Sequence, residues 1–439
     1  MESIKVALLG LGTVGTGVYQ TIISHQKQLQ HILGKSVEVV AILIQDIEKK
    51  RVLEMRDSIL VTTNYQDILQ LPKLDVVIEM IGGRDPAYQY IIQALSKGCH
   101  VITANKELMA FNGAELKEIA KQYGVMLAFE ASVAGGIPII RTIKQLLQVN
   151  QITKIQGIIN GTSNYILSQM RKKRISFKQA LKEAQAAGFA EADPTNDIEG
   201  WDAFYKLMVL SDIIFPERPN WTSVKKIGVS EVTLEQLALV EELGLRMKLV
   251  ASLYKSDTGW NVRVEPTCLA ESNPLYSVEG VDNAIIIETD VVGRLFLQGP
   301  GAGSLPTASA IVEDLVDVLQ HPTYSYHHKK EIETTATVTE SIENPFWLII
   351  HEQHHPMTSA DQMFWQVKLH QFELEMIKRE TISVQKGFLV GHLVKGNEEQ
   401  ILALKQNVNH RTKMIYYPAL SCHHEERVEE EGIKLGGRS

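Results

Sequence analysis

Cysteine is scarce. Cys99, Cys268 and Cys422 are the only three in 439 residues, an odd number set far apart, which argues against a disulfide framework. Long apolar runs are missing as well. Nothing approaches the ~18 consecutive apolar residues that would span a bilayer, so no membrane partner is expected. Positive charge is not in excess: 44 Lys and Arg face 52 Asp and Glu, a net charge of −8. That balance argues against a broad nucleic-acid footprint, while a local basic site stays open. Met1-Glu2-Ser3 leads directly into a strand-like run, with no basic n-region or small-residue cleavage site, and the chain reads as cytoplasmic. What is present is 44% hydrophobic residues, enough for sizeable cores and too much for a disordered chain. The length suggests two to four domains.

The first stretch alternates short apolar runs with helical patterns. Strands are expected at Ile4–Leu9, Val37–Ile44, Asp75–Met80, His100–Thr103 and Val125–Phe129, with helices such as Tyr88–Lys97 and Lys106–Gln122 between them. Continuous apolar strands separated by helices imply βαβ crossovers and a doubly wound parallel sheet, an α/β fold over residues 1–135. Residues 136–305 read as a mixed α+β domain. Helices are expected there at Ser163–Lys172, Phe177–Ala187 and Asp197–Ile213, and strands at Ala284–Glu288 and Leu295–Gln298. A helix over about 306–320 is expected to pack back on the first domain. Residues 329–345 are polar and read as a linker. Over 346–420 the order is βαββαβ, with strands at Phe346–Ile350, Phe372–Ile377, Phe388–Val394 and Met414–Tyr417, and residues 421–439 form a charged tail.

Gly10-Leu11-Gly12-Thr13-Val14-Gly15 follows the first strand and opens a helical run, the context a G-x-G-x-x-G turn needs for dinucleotide binding. Gly10 allows the tight turn, Gly12 lets backbone approach a pyrophosphate, and Gly15 permits close helix–strand packing. This is a Rossmann-type arrangement. Whether NAD or NADP is bound stays open: Asp46 ends the second strand, where it reads equally as a ribose ligand or a helix N-cap. Lys49, Lys50 and Arg51 beyond it are able to neutralise a 2′-phosphate.

The most informative segment runs from Ala184 through Gly188, Glu191, Asp193-Pro194, Asp197, Gly200 and Asp202 to Lys206. Asp202 and Lys206, at i and i+4, share a helix face. An isolated pair of that kind is usually a solvated ion pair worth a few tenths of a kcal/mol. This one sits in a run that resembles the signature of homoserine dehydrogenases. Thr103-Ala104-Asn105-Lys106, Phe129 to Pro138, Gly157 to Tyr165, Gly299 to Gly303 and Pro306-Thr307-Ala308 resemble the same family, in its order, over about residues 4–320. The resemblance implies NAD(P)-dependent, reversible reduction of L-aspartate 4-semialdehyde to L-homoserine, in the biosynthesis of threonine, methionine and isoleucine, by a homodimer or higher homo-oligomer. It implies Lys206 as the proton donor or base, Lys106 as a second acid–base candidate, and Glu191 and Asp202 as substrate ligands. Cofactor contacts beyond Gly10, Gly12, Thr13, Val14 and Gly15 are implied at Lys106, Gly188 and Gly303. A monovalent cation, sodium by the resemblance, is implied at the Glu130 carboxyl and the carbonyls of Val133, Gly135 and Ile137. These residue types suit the chemistry, because hydride reaching an aldehyde carbon leaves charge on oxygen that an ammonium can stabilise and protonate.

His351-Glu352-Gln353-His354-His355 satisfies H-E-x-x-H, but it follows a strand-like run and Pro356 comes directly after it, so a polar loop is expected rather than a zinc-binding helix. His327-His328 and His423-His424 lack ligand spacing. In homoserine dehydrogenases the fourth stretch often carries an ACT domain with an Asp/Asn-x-Pro-Gly turn after its first strand. Here His354-His355-Pro356-Met357 stands instead, so the module is ACT-like in element order, and its role is open between threonine feedback and a structural or oligomerising one. Two rivals to the enzyme are a catalytically idle dinucleotide-binding sensor, which would tend to lose Lys106, Glu191, Asp202 and Lys206, and another semialdehyde dehydrogenase, whose acylating type needs a cysteine nucleophile.

Overall fold

The computed structural model describes residues 3–46, 58–215, 219–256, 259–321, 346–408 and 413–420. The expected linker and tail, Lys49 to Arg51, Cys422 and the two His-His pairs lie outside the described residues.

The chain opens with β1 (Ile4–Leu9), α1 (Thr13–Ser24), α2 (Gln26–Leu33), β2 (Val37–Leu43), β3 (Leu60–Thr62), α3 (Tyr65–Leu69), β4 (Val76–Glu79), α4 (Ala87–Ser96), β5 (His100–Thr103), α5 (Lys106–Gln122) and β6 (Leu127–Ala128). The six strands pair in parallel in the order β3-β2-β1-β4-β5-β6. The chain moves outward from β1 in both directions, which leaves a crevice beyond the carboxyl ends of β1 and β4, where α/β sheets bind ligands. Val6, Ala7, Leu8 and Leu9 are all buried, as a strand covered on both faces requires.

The second region holds α6 (Ile139–Arg141), β7 (Ile152–Ile158), α7 (Gly161–Lys173), α8 (Phe177–Ala186), α9 (Thr195–Ile198), α10 (Trp201–Ile214), β8 (Lys225–Lys226) and α11 (Leu234–Glu242). It continues with β9 (Leu245–Ser256), β10 (Gly259–Ala270), β11 (Asp282–Thr289), β12 (Arg294–Pro300) and α12 (Ser304–Gln320). The expected single helix over Asp197–Ile213 is two helices, because Gly200 takes φ +79° and breaks the run before Trp201. The long β9–β10 hairpin has no counterpart in the sequence expectation. Helix α12 returns to α1, and the approach is so close that a Cβ on Gly17 would run into Ser304.

The last region is β13 (Phe346–Gln353), α13 (Ser359–Gln371), β14 (Glu375–Val384), β15 (Gly387–Lys395), α14 (Glu398–Asn407) and β16 (Met414–Leu420), in the expected βαββαβ order. Its second strand starts later than expected, since Phe372 closes α13. The H-E-x-x-H segment is not all loop either. His351 lies in β13, buried, with its Nε2 3.1 Å from Nε2 of His392 and its ring stacked on Trp365.

The module is also not a separate appendage. β16 pairs with β10 in parallel, Cys268 opposite Ala419, so a ten-stranded sheet runs through both regions. Along β13 the side chains alternate: Trp347 and Ile349 pack in the module's own core, while Leu348 and Ile350 join the large core that includes Leu237 and Leu239 of α11.

Candidate active site

Three glycines build the nucleotide turn, for different reasons. Gly10, just past β1, has φ +105°, a region L side chains rarely adopt. A Cβ on Gly15 would collide with the Gly10 carbonyl. Gly12, at φ −76°, is under no such constraint, and a Cβ there would meet nothing within 4 Å. The fold needs Gly10 and Gly15, whereas nothing in the packing requires a glycine at position 12. Gly12 N-caps α1 without a side-chain hydrogen bond, and no acidic residue sits in the first turn with Thr13 and Val14. The amides there suit a pyrophosphate. Ser304 Oγ donates to the Thr13 carbonyl at 2.8 Å, which sets Gly303, the N-cap of α12, beside this turn.

Across the crevice, α5 begins at the Asn105 cap. Asn105 Oδ1 accepts from Leu108 N at 3.0 Å, and its Nδ2 donates to the carbonyls of Ile81 and Gly83 at 3.0 and 2.6 Å. Below it the fully buried Glu79 accepts hydrogen bonds from Thr103 Oγ1 and Ile81 N, and burial pushes its carboxyl up to about 7. This polar knot fixes Lys106 as the first residue of α5.

From the other domain, Asp202 stands in the first turn of α10. Its Oδ1 lies 2.5 Å from Lys106 Nζ, and its Oδ2 accepts from Lys206 Nζ at 2.7 Å and from Asn160 Nδ2 at 2.8 Å. Burial alone would raise the Asp202 carboxyl, but Lys106 and Lys206 outweigh it and hold it well below the usual carboxylate range. Lys206 Nζ also donates to the Ile159 carbonyl at 2.7 Å. The two lysines move apart. Burial lowers Lys206, with the Lys106 charge adding to it against the pull of Asp202; Asp202 raises Lys106. The Lys206 side chain is 11% exposed and that of Lys106 41%, so Lys206 is the more deeply buried of the two.

The structure thus joins Lys106, Asp202 and Lys206, with Asp202 as the bridge between the lysines. Glu191 is exposed in the loop after α8, and its charge bears on Lys106. Gly188 takes φ +76° at the end of α8, where Phe189 N bonds the Ala184 carbonyl at 2.8 Å. Asn160 was not singled out from sequence. Its Oδ1 caps α7 by accepting from Ser163 N, while its Nδ2 reaches both Asp197 and Asp202. An Asn directly before a helical run was the available signal. Glu130 turns its carboxyl toward α6, accepting from Ile140 N at 2.8 Å and Arg141 N at 2.7 Å, and the Ile137 carbonyl accepts from Ile139 N. Asp46 is exposed.

A glycine turn over a bare helix N-terminus, together with a buried carboxylate bridged by two lysines, fits an NAD(P)-dependent oxidoreductase. The particular family follows from likeness. Residues 10–130 match the family model for the homoserine dehydrogenase NAD binding domain, and residues 138–316 match that for homoserine dehydrogenase. The chain is 44% identical to the homoserine dehydrogenase of Bacillus subtilis over 321 residues, 73% of this chain and 74% of that one. A homoserine dehydrogenase structure from Thiobacillus denitrificans superposes with a TM-score of 0.85 at 35% identity, covering 96% of this chain and 99% of the other. A hyperthermophilic archaeal homoserine dehydrogenase in complex with NADPH superposes with a TM-score of 0.63 at 28% identity, over 73% and 99% of the two chains. The chain belongs to the homoserine dehydrogenase family. Among the described residues no helix is long and apolar enough to cross a membrane.

Proposed function

We propose that the chain interconverts L-aspartate 4-semialdehyde and L-homoserine with Lys206 as the acid–base group. The observation that carries this is the Asp202 carboxylate shared between Lys206 and Lys106. When bound, the nicotinamide supplies the hydride to the aldehyde carbon. Two of the three Lys206 ammonium hydrogens are held by the Ile159 carbonyl and Asp202, which leaves the third for the substrate oxygen. Burial weakens the hold of Lys206 on its proton, which eases donation to the aldehyde oxygen and leaves a larger share of neutral amine to act as base in the other direction. Lys106, kept charged by Asp202, stabilises the developing oxyanion without giving up a proton. Glu191 receives the substrate's α-ammonium at the open side of the site.

The cofactor is NAD or NADP, held at Gly10 to Gly15 with Gly188 and Gly303 at the rim. A cation on the Glu130–Ile137 turn would rest on main-chain carbonyls, the Glu130 carboxyl being engaged by α6. Its oxygen donors suit a hard ion. Equal melting temperatures in sodium and choline chloride would remove the ion from this account. A homo-oligomer is supported by exposed Val291 and Val292 in the β11–β12 turn and Phe296 on β12, which ends the second sheet. The deciding experiment follows nicotinamide absorbance with L-homoserine and each of NAD and NADP. Absence of turnover with both removes the proposed reaction.

A further inference from the structure

The two-residue strand β8 stands between the C-terminal module and the catalytic helix, and each of its lysines faces one of them. Lys225 pairs with Arg263 of β10 in the sheet, and its Nζ lies 2.9 Å from Glu265 and 3.2 Å from Glu398. Glu398 opens α14 of the module and is buried. Arg263, also buried, grips the same carboxylate with both terminal nitrogens, Nη1 to Oε1 at 3.0 Å and Nη2 to Oε2 at 2.6 Å. An ion pair this far from water holds its partners in one geometry, since breaking it strands a buried charge.

The other half of β8 faces the active site. Lys226 Nζ donates to the Glu199 carbonyl at 2.8 Å and sits 3.9 Å from the centroid of the Trp201 ring. Val229 N donates to the Ile198 carbonyl at 2.7 Å, and Gly228 lies so close to that carbonyl that any Cβ would collide with it. Residues 198–201 are the hinge between α9 and α10, where Gly200 takes its left-handed turn. One residue on is Asp202, and one helical turn beyond that is Lys206. The contacts therefore run unbroken from Glu398 through β8 to the start of the helix that carries both catalytic groups.

We infer that Lys226 is a positioning residue for the Asp202–Lys206 pair, and that Glu398 of the C-terminal module sets the position of Lys226 through Arg263 and Lys225. This rests on the reading of Asp202 and Lys206 given above. The sheet pairing fixes β8 from one side and the Glu398 carboxylate fixes Lys225 from the other. Their neighbour Lys226 then holds the Glu199 carbonyl and the Trp201 ring in place by a charged hydrogen bond and a cation–π contact. A small shift of α10 would move Lys206 relative to the reacting oxygen, and misplacements of that kind cost activity without removing any catalytic group.

The test uses the full chain and a double-mutant cycle. Lys226→Gln should lower kcat about 5–20-fold while the dissociation constant of whichever of NADH and NADPH the enzyme uses, read by fluorescence, stays within about twofold. Lys226→Arg, which keeps charge and donors, should recover most of the loss. Glu398→Gln should lower kcat less, about 2–5-fold, and the double variant should fall no further than Lys226→Gln alone. If either glutamine variant fails to melt cooperatively, Lys226→Met and Glu398→Asp replace them in the same cycle. Unchanged kcat in the Lys226 variants overturns the positioning role, and fold-losses that multiply in the double variant overturn the link to the module. Lys206→Ala, assayed alongside, reports separately on the proton-transfer reading, because the cycle measures coupling whichever group moves the proton.

Discussion

At the scale of single residues, what sets this site apart from a surface ion pair is burial. Asp202 and Lys206 at i and i+4 would contribute a few tenths of a kcal/mol on an exposed helix. Here the carboxylate is almost closed off from water and shared with a second lysine from another domain. The same geometry drives the two ammonium groups in opposite directions, Lys206 toward giving up its proton and Lys106 toward keeping it. Lys206→Ala should lower kcat on the order of 10²–10⁴-fold and leave cofactor affinity nearly unchanged. A variant that keeps most of its kcat moves the acid–base role to Lys106 or to water. Gly12→Val makes the complementary separation. Its side chain meets open space and its φ suits any residue, so the fold should melt as before while NAD(P)H binding is lost. Undiminished binding by fluorescence would place the pyrophosphate elsewhere.

At the scale of elements, strands β13 and β15 carry an unusual load. His351 and His392 face each other Nε2 to Nε2 inside the module, and burial pulls them down to about 4 and about 3, with His351 adding to the effect on His392. The neutral rings are what the fold packs. An unfolded chain takes up protons below about 6.5, whereas the folded one resists until about 4 for His351 and about 3 for His392. Stability is therefore full above about 6.5 and falls as pH drops through this window, by at most about 1.4 kcal/mol per pH unit for each ring. Urea midpoints followed by the fluorescence of Trp365, which stacks on His351, should drop between pH 7 and pH 5. His392→Leu should remove about half of that slope. Equal midpoints at the two pH values would mean that the pair charges without cost.

At the scale of the whole molecule, the C-terminal module completes the second domain. Ending the chain at residue 345 would uncover the edge of β10 at Cys268 and Leu269 and the apolar side of α11 at Leu237 and Leu239. The shortened chain should aggregate or melt well below the full one, measured by scattering and calorimetry. A monodisperse product with an unchanged melting temperature would show the module to be dispensable for the fold. Effector binding is a separate matter. The turn after β13 is His354-His355-Pro356-Met357, where proline lacks the N–H that could reach a ligand. Millimolar L-threonine should inhibit initial rates weakly or not at all, and strong cooperative inhibition would refute this.

Much of the architecture was legible along the chain. Apolar runs at β1, β2, β4 and β5 specified a parallel sheet because both faces are covered, and the glycine turn announced its own location between β1 and α1. Helical spacing placed Asp202 and Lys206 on one face, and the resemblance of the run from Ala184 to Lys206 to homoserine dehydrogenases marked that pair as a candidate site. The β9–β10 hairpin was not legible, because Lys248, Asn261, Arg263 and Glu265 are buried on it and erase the apolar pattern that a strand would show. Their burial is tolerated only by partners brought from far along the chain, Glu279 for Lys248 and Glu398 for Arg263. Lys106 is the same case at the active site. Helical spacing sets Asp202 over Lys206, but only the packing of α5 against α10 brings Lys106 to the same carboxylate, since no local period relates residues on two different domains.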